Sequence, residues 1–476
     1  APGLYEQEFP ALDVNLYNKT YADTANGGHL IGDFEFANDP SKKTTEEEWG
    51  TAIALQHDFD ELIFNFTASY RREEMLSYGL DFDLTAMPIS TGGTSEESTY
   101  WNVEARLSKL EQSGIDWLFG ITLSKDKKSR QLYSLIGSGG FNDYAKASLQ
   151  HLTPKSSAVF AQTIWPVTDK LNITTGLRYQ HSEQGINQEA GLLDLGDIGQ
   201  FTFPALSEKA SSNAWVPKVA IDYTFDNEVL LYSSAAKGFL PGGYNLVAAD
   251  KGPEIAEKYG EYDDEELWSY ELGAKSDLLD GKAFISAAIF YIDASSWQEY
   301  NVLTDSEGRV LSTVLVSSDA AIESKGFEVE FNAQVTDKLH IIAGFGYIDA
   351  KYSQYDFSDS ENYAGNKVKM VPKFDGSFTA SYNLTNNWYV RSDLQALGKT
   401  PLHQDNSVER DTQWLFGLST GYQAENWSAR LYAKNLTNER YASGLSYKNF
   451  LFGDDGNNYA PLANPRIIGL DFDWNF

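Results

Sequence analysis

The sequence predicts an all-β fold, a transmembrane antiparallel β-barrel with short turns along one rim and long loops along the other. Three observations carry that expectation. Apolar and polar residues alternate in long runs down to the last residue. Short Asp/Asn/Gly turns take turns with long polar stretches between those runs. No stretch comes near the roughly 18–20 consecutive apolar residues that a membrane helix needs. A chain crossing a bilayer without helices must close its strands into a barrel, because only closure also satisfies every backbone polar group in lipid.

The alternation is explicit. At the C-terminus Ile468, Leu470, Phe472, Trp474 and Phe476 share one face, and Gly469, Asp471, Asp473 and Asn475 the other. Trp414, Phe416, Leu418, Thr420 and Tyr422 are set against Gly417, Ser419 and Gly421 in the same way. Phe327, Val329 and Phe331 oppose Glu328, Glu330 and Asn332, and Trp215, Pro217, Val219, Ile221, Tyr223 and Phe225 oppose Lys218, Asp222 and Thr224. Near the start, Leu62, Phe64, Phe66, Ala68 and Tyr70 oppose Asn65, Thr67 and Ser69. Successive strand side chains point to opposite faces, so each run has one greasy and one wet side.

A soluble sandwich alternates as well, and the punctuation separates the two. Asp226-Asn227, Asp280-Gly281, Asp337-Lys338, Thr385-Asn386-Asn387 and Glu425-Asn426 read as short turns. Long polar stretches near 83–97, 137–155, 189–211, 246–266, 303–320, 354–370 and 442–460 read as loops. That rhythm belongs to outer-membrane barrels, with short periplasmic turns and long extracellular loops. It gives about eighteen strands from residue 28 onward and leaves 1–27 unassigned. Segments 411–425, 426–441 and 461–476 are the expected last three strands, with Trp414, Phe416, Leu431, Phe472 and Trp474 facing lipid.

Composition narrows the function. Of 476 residues, 42% are hydrophobic and 14% aromatic, with 28 Tyr, 27 Phe and 11 Trp. Rings with an apolar body and a wet edge suit a protein with much interfacial surface. Cys is absent, which removes disulfide scaffolds and thiol chemistry and suits an oxidising periplasm. A net charge of −31 argues against nucleic acid as a partner. His29, His57, His151, His181, His340 and His403 show no ligand-pair spacing, and hydrolase strings, phosphate loops and carboxylate dyads are missing. Neither enzymatic activity nor a cofactor is expected. Ala1 stands either behind a cleaved leader or inside a longer protein.

Three strings resemble TonB-dependent outer-membrane receptors of the ferric-siderophore type. The first runs from Leu231 to Asn245 and includes Lys237, Gly238, Phe239, Leu240, Pro241, Gly242, Gly243, Tyr244 and Asn245. It is similar to the family's strand that rises into an extracellular loop. The second starts at Tyr270-Glu271-Leu272-Gly273 and continues through Ser276 and Gly281 to Phe290-Tyr291. The third is Lys434-Asn435-Leu436-Thr437-Asn438-Glu439-Arg440-Tyr441, followed by Pro465-Arg466 and Phe476, and looks like the family's last two strands. With Gly176-Leu177-Arg178-Tyr179 and Ser324-Lys325-Gly326-Phe327-Glu328, the likeness covers roughly 156–476.

The resemblance implies an outer-membrane receptor that takes up a scarce large solute, most often an iron-siderophore complex, through a 22-stranded barrel filled by a plug. The family's TonB box and plug are not among these residues. Residues 28–476 are therefore expected to be the C-terminal barrel portion of such a receptor. Its implied partners are the TonB complex through the plug, the barrel-assembly machinery, lipid and lipopolysaccharide, and an iron chelate or other large solute. A plugless variant with its own even strand number is the alternative. As function, that alternative is a passive porin-like channel without energy coupling; a soluble or surface β-protein such as an adhesin is opposed by the family strings.

Candidate residues fall into four groups. Lys373, Asp375, Arg391, Asp393, Gln395, Arg430 and Lys434 alternate with lipid-facing residues on late strands; in the family such positions contact the plug. Glu261, Asp263, Asp264, Glu265 and Glu266, with Asp454 and Asp455, are acids of long loops. They read as a solvated loop face first, and as Ca²⁺ ligands or ion bridges to lipopolysaccharide second; EF-hand spacing is missing and no metal is assigned. Lys237, Gly238, Phe239, Pro241, Gly242, Gly243 and Asn245 chiefly encode a strand-to-loop turn, with ligand contact the second reading. Phe472, Trp474 and Phe476 resemble the assembly signal and serve equally as rings of an interface girdle.

Overall fold

In a computed structural model of the chain, the described residues are 43–81, 90–109, 114–136, 145–194, 200–203, 205–245, 260–304, 310–358, 361–444, 447–448, 458–459 and 462–475. Beside four separate two-stranded ribbons, their strands form one 19-stranded antiparallel sheet, of which Glu361–Asn362 is the shortest member. The others are β1 (Lys43–Phe59), β2 (Leu62–Asp81), β3 (Ser90–Lys109), β4 (Asp116–Ile136), β5 (Ala145–Leu152), β6 (Lys155–Thr168), β7 (Leu171–Gln188), β8 (Leu206–Thr224) and β9 (Leu230–Leu240). The series continues with β10 (Glu265–Leu278), β11 (Ala283–Thr304), β12 (Val310–Gln334), β13 (Leu339–Ser358), β14 (Phe374–Asn383), β15 (Trp388–Leu397), β16 (Gln413–Gln423), β17 (Trp427–Lys434) and β18 (Ile467–Trp474). Neighbours in sequence are neighbours in the sheet, and β5 and β6 lie end to end between β4 and β7. No described helix is long and apolar enough to cross a membrane.

Short turns line one rim, at all five places expected from sequence. A Thr hydroxyl organises several of them. Thr168 Oγ1 accepts the N–H groups of Lys170 (3.2 Å) and Leu171 (3.0 Å), Thr336 those of Lys338 (3.2 Å) and Leu339 (3.0 Å), and Thr385 those of Asn387 (3.3 Å) and Trp388 (3.1 Å). Side chains that mimic a backbone acceptor fix tight turns in this way.

The opposite rim differs from expectation. Residues 90–97 belong to β3, 145–152 to β5, 206–211 to β8, 310–320 to β12 and 354–358 to β13, although all were expected in loops. These strand tops stand above the lipid, where no bilayer imposes an apolar outer face, so the alternating signal disappears while the ladder continues. Segment 426–441 is also shorter as a strand than expected: β17 ends at Lys434, and Asn435 (φ 48°) and Asn438 (φ 58°) turn the chain. Asp454, Asp455, Phe476 and the expected strand material at 28–42 lie outside the described residues.

Large rings mark the height of the lipid band. Trp215 is exposed on β8 and Phe225 follows that strand about ten residues below; at roughly 3.3 Å per residue and a tilt of about 40° this spans about 25 Å, the expected apolar band. Trp49 and Phe59 on β1, and Trp268 and Leu278 on β10, repeat the step with exposed side chains. Near the short turns an outward chain of rings joins Trp388 to Tyr422 (5.7 Å), Tyr422 to Trp427 (5.3 Å), Trp427 to Phe472 (5.9 Å) and Phe472 to Trp474 (6.3 Å). Trp414, Leu431, Phe472 and Trp474 are exposed on the expected face, and Phe416 is half-buried on it.

Candidate functional site: the lumen wall and its mouth

On the inward face of β14–β18 a cleft of about 1200 Å³ is lined by Arg391, Asp393, Gln395, Arg430, Tyr432 and Lys434. Five residues singled out from sequence thus meet on one wall. Arg391 Nε donates to Asp393 Oδ1 at 2.9 Å, and Thr379 Oγ1 donates to the same carboxylate at 2.8 Å. Arg430 Nε donates across the sheet to Asp471 Oδ2 at 3.0 Å. The Tyr432 ring has the Arg430 guanidinium at 5.3 Å and the Lys434 ammonium at 5.5 Å, within range of cation–π attraction. Asp375 is exposed and pairs in register with Gly346 and Leu397, beyond the cleft lining. Lys373 departs from the group: it precedes β14, and its ammonium lies 6.0 Å from the ring of Tyr347, which belongs to the outward row with Phe327 and Phe345.

Two strings that were separate in sequence come together at the rim. The ribbon Gly243–Tyr244 pairs with Glu261–Tyr262, and the Asn245 N–H donates to Gly260 O at 2.8 Å. Asp264 Oδ1 accepts the Gly242 N–H at 2.7 Å, and Glu265 Oε2 accepts the Gln298 N–H at 2.8 Å. Gln298 Nε2 in turn reaches Pro241 O and Asp263 O, both at 3.1 Å. Glu266 pairs with Lys237 at 2.8 Å, on the outward face with Phe239 in the same row. Asp264 and Glu265 therefore serve as acceptors that hold the turn together, and Glu265 and Glu266 open β10 instead of lying in a loop. Burial pushes the Glu265 carboxyl up, assisted by nearby Glu299, against the Gln298 N–H that lowers it. Gly242 is required here, since a Cβ would stand 2.2 Å from Tyr262 O.

The mouth contains a buried core that sequence reasoning did not anticipate. Ala294, Ala320, Ile322, Ala350, Tyr352, Tyr355, Tyr363 and Val368 pack together on the inward face of the tops of β11–β13 and the segment after β13. Within this core Lys369 Nζ lies 3.1 Å from Glu299, and both side chains are about 90% buried. Tyr352 Oη donates to Glu299 at 2.9 Å and Trp297 Nε1 at 3.2 Å. Burial and the Glu299 charge drive the Tyr352 phenol far above its usual range. The segment 398–411 packs alongside: the Met370 N–H donates to Pro401 O at 2.8 Å, Lys367 pairs with Glu409 at 2.8 Å, and Arg410 donates to Thr400 Oγ1 at 3.2 Å and to Ala442 O at 3.1 Å.

The family model for the β-barrel of TonB-dependent receptor-like proteins matches residues 4–436. The chain belongs to the TonB-dependent receptor family. It is accordingly an outer-membrane β-barrel. Among curated relatives, this receptor chain is 30% identical over 222 residues to the metal-pseudopaline receptor CntO of Pseudomonas aeruginosa, covering 46% of this chain and 27% of that protein. It is 24% identical over 306 residues to the pesticin receptor of Yersinia pestis, covering 62% of this chain and 41% of that protein. The chain thus spans less than half the length of these relatives. The crystal structure of the ferric yersiniabactin uptake receptor FyuA from Yersinia pestis has the same fold, with a TM-score of 0.75 at 18% identity over 95% of this chain and 65% of that one.

Proposed function

We propose that this chain is the barrel of a transporter that takes up a scarce metal chelate of the iron-siderophore class, driven through TonB. The observation that carries the reading is its family membership together with the relatives, whose names state a metal-pseudopaline receptor and a ferrichrome outer-membrane transporter. Transport rather than catalysis is the activity those names describe. In this reading residues 28–476 form the barrel, and Arg391, Asp393, Gln395, Arg430 and Lys434 hold a plug against the lumen wall. The Arg391–Asp393 and Arg430–Asp471 pairs suit that role, because fixed, partly neutralised charges present hydrogen-bonding groups without a strong net field. The mouth around Glu299 and Lys369 frames the entry.

The test expresses the full-length gene in a strain lacking its own receptors. Accumulation of radiolabelled ferric chelates should appear with the gene and vanish when TonB is deleted or the proton-motive force is collapsed. Uptake that survives both treatments overturns the proposal. Planar-bilayer conductance supplies the second readout: the intact protein should be nearly closed, and Arg391→Gln together with Arg430→Gln should raise its conductance.

A further inference from the structure

We propose that five inward aromatic rings, each lying across a glycine directly opposite on the next strand, are keys that set the register between neighbouring hairpins of the wall. Phe160 covers Gly120 across β6 and β4, and Tyr232 covers Gly273 across β9 and β10. Phe290 covers Gly326 across β11 and β12, Tyr389 covers Gly421 across β15 and β16, and Tyr432 covers Gly469 across β17 and β18. A Cβ on any of these glycines would run into the ring: it would stand 2.5 Å from Tyr232 Cζ at Gly273 and 2.6 Å from Tyr389 Cζ at Gly421. Cations hold three of the rings by cation–π attraction. Arg178 lies 5.7 Å from the Phe160 ring and Lys275 5.4 Å from the Tyr232 ring, and Tyr432 has Arg430 and Lys434.

Where the pairs fall decides what they do. All five cross strands that are joined at the mouth. Among the described residues no inward ring covers a glycine across strands joined by a short turn; Phe374 against Gly398, at the top of β14 and β15, belongs to the outward row with Phe345. A short turn fixes the register of its own two strands through its type and length. Mouth connections such as 241–264, 398–412 and 435–466 are too long to do so. Between β11 and β12 the ladder itself is irregular above Ala294, with offsets at Ala294/Trp297, Trp297/Glu299, Asn301/Leu303 and Leu303/Thr304. No register can be handed down to the wall through such a ladder.

Alternation supplies only part of the missing information. A slip of one residue turns the apolar face inward, and lipid excludes it. A slip of two leaves every side chain on its proper face, so only cross-strand pairs oppose it. Such a slip would drive Tyr389 onto Ser419 or Gln423, Tyr232 onto Glu271 or Lys275, and Phe160 onto Leu118 or Thr122. At each key the glycine is flanked, two residues away on either side, by positions that carry side chains. The ring therefore fits in one register and collides in the two nearest alternatives. Short turns set the register within hairpins, and the keys set it between them.

The test exploits a chain without Cys. The full chain, refolded into vesicles, carries Ser392→Cys with Leu418→Cys, which stand opposite each other in register. Two further versions carry Ser392→Cys with Phe416→Cys or with Thr420→Cys, the partners after a slip of two. A disulfide needs Cβ atoms about 3.5–4.5 Å apart, so oxidation reads the register. With the key intact the in-register product should dominate. Tyr389→Ala, which leaves the four other keys in place, should raise the slipped products about two- to fivefold, the range a single cross-strand pair can control. A ring that only packs would lower stability and leave the products unchanged, and that result overturns the proposal. The second arm reads folded fraction by heat-modifiable gel mobility. Gly421→Ala should lower it, and adding Tyr389→Ala should restore it. Gly417→Ala, inward on the same strand with nothing nearer than 3.6 Å to its Cβ, should fold as the unchanged protein does. Equal folding of Gly421→Ala and Gly417→Ala, or no restoration in the double variant, likewise overturns the proposal.

Discussion

At membrane level the largest side chains of this sheet point outward and are exposed, whereas at the mouth of the same strands Tyr352 and Tyr355 are completely buried. Ile289 on β11 and Phe345 on β13 are exposed, yet Ala294 and Tyr352 farther up those strands belong to a closed core. The difference lies in the solvent. Lipid covers apolar rings on the lower wall, so the ladder and the bilayer suffice. Above the bilayer, water surrounds the strand tops, and they hold their shape only by burying surface of their own. One sheet thus has two stabilising regimes, one above the other.

The largest expected effect comes from breaking the upper regime. Lys369→Met leaves the Glu299 carboxylate buried without its cation, at a cost of about 3–5 kcal/mol. Hydrogen exchange should lose protection in 361–373 and 398–411, while heat-modifiable gel mobility stays unchanged. Protection intact in both segments would show that the mouth is not an independent core. Next, Ile289→Lys places a charge near the middle of the lipid face and should cost about 2–4 kcal/mol in folding into vesicles, whereas Ser419→Lys on the lumen face should cost about 0.5 kcal/mol or less. Equal costs would refute the assignment of faces.

Tyr352→Phe removes one donor to Glu299 and should cost about 1–3 kcal/mol, again confined to the mouth and readable by exchange. The smallest effect concerns pH in the segment 398–411 beside the mouth core. Burial works against the charge of Asp405, but His403 at 2.7 Å and the hydroxyl and N–H of Ser407 hold its carboxyl well below the usual range. A depressed carboxylate contributes stability above the unfolded pKa of about 4, and that contribution is lost as pH falls from there through the folded value. Exchange protection of 402–408, corrected for intrinsic rates, should exceed that of Asp405→Asn at pH 7, with the gap narrowing at pH 3. A gap that widens on acidification would contradict the sign.

The lower regime was legible in sequence because lipid imposes its rule residue by residue. Ile468, Leu470, Phe472 and Trp474 could be assigned a face without knowing any partner, and Asp280-Gly281 or Thr385-Asn387 could be assigned a turn from local chemistry alone. The upper regime was not legible, since it depends on partners distant in the chain. Glu299 carries no signal of its own in the sequence, and nothing near it announces Lys369. Residues 93–97 lack alternation because neither of their faces touches lipid, although their register with β2 runs on from Glu97 opposite Glu74 to Gly93 opposite Tyr78. The 398–411 segment offered only Thr400-Pro401 and scattered charges. Arg391, Asp393, Arg430 and Lys434 were found because they sit at lipid height, where a polar residue in phase must face the lumen.

The register offsets near the mouth carry a consequence for how such a protein can change. Ser296 (φ 50°) adds one residue to β11 between Ala294 and Trp297, and Ser353 adds one to β13 between Tyr352 and Gln354. Both additions oppose β12, so Ala294, Ile322 and Tyr352 form one inward row and Trp297, Ala320 and Tyr355 the next, despite their three-residue spacing on the outer strands. Removing either serine would turn every side chain above it to the other face and leave everything below untouched. At this height the unit of innovation is the codon gained or lost. A single insertion could exchange one strand's share of the entrance lining for the residues that now face outward, without asking anything of the wall that sits in the membrane.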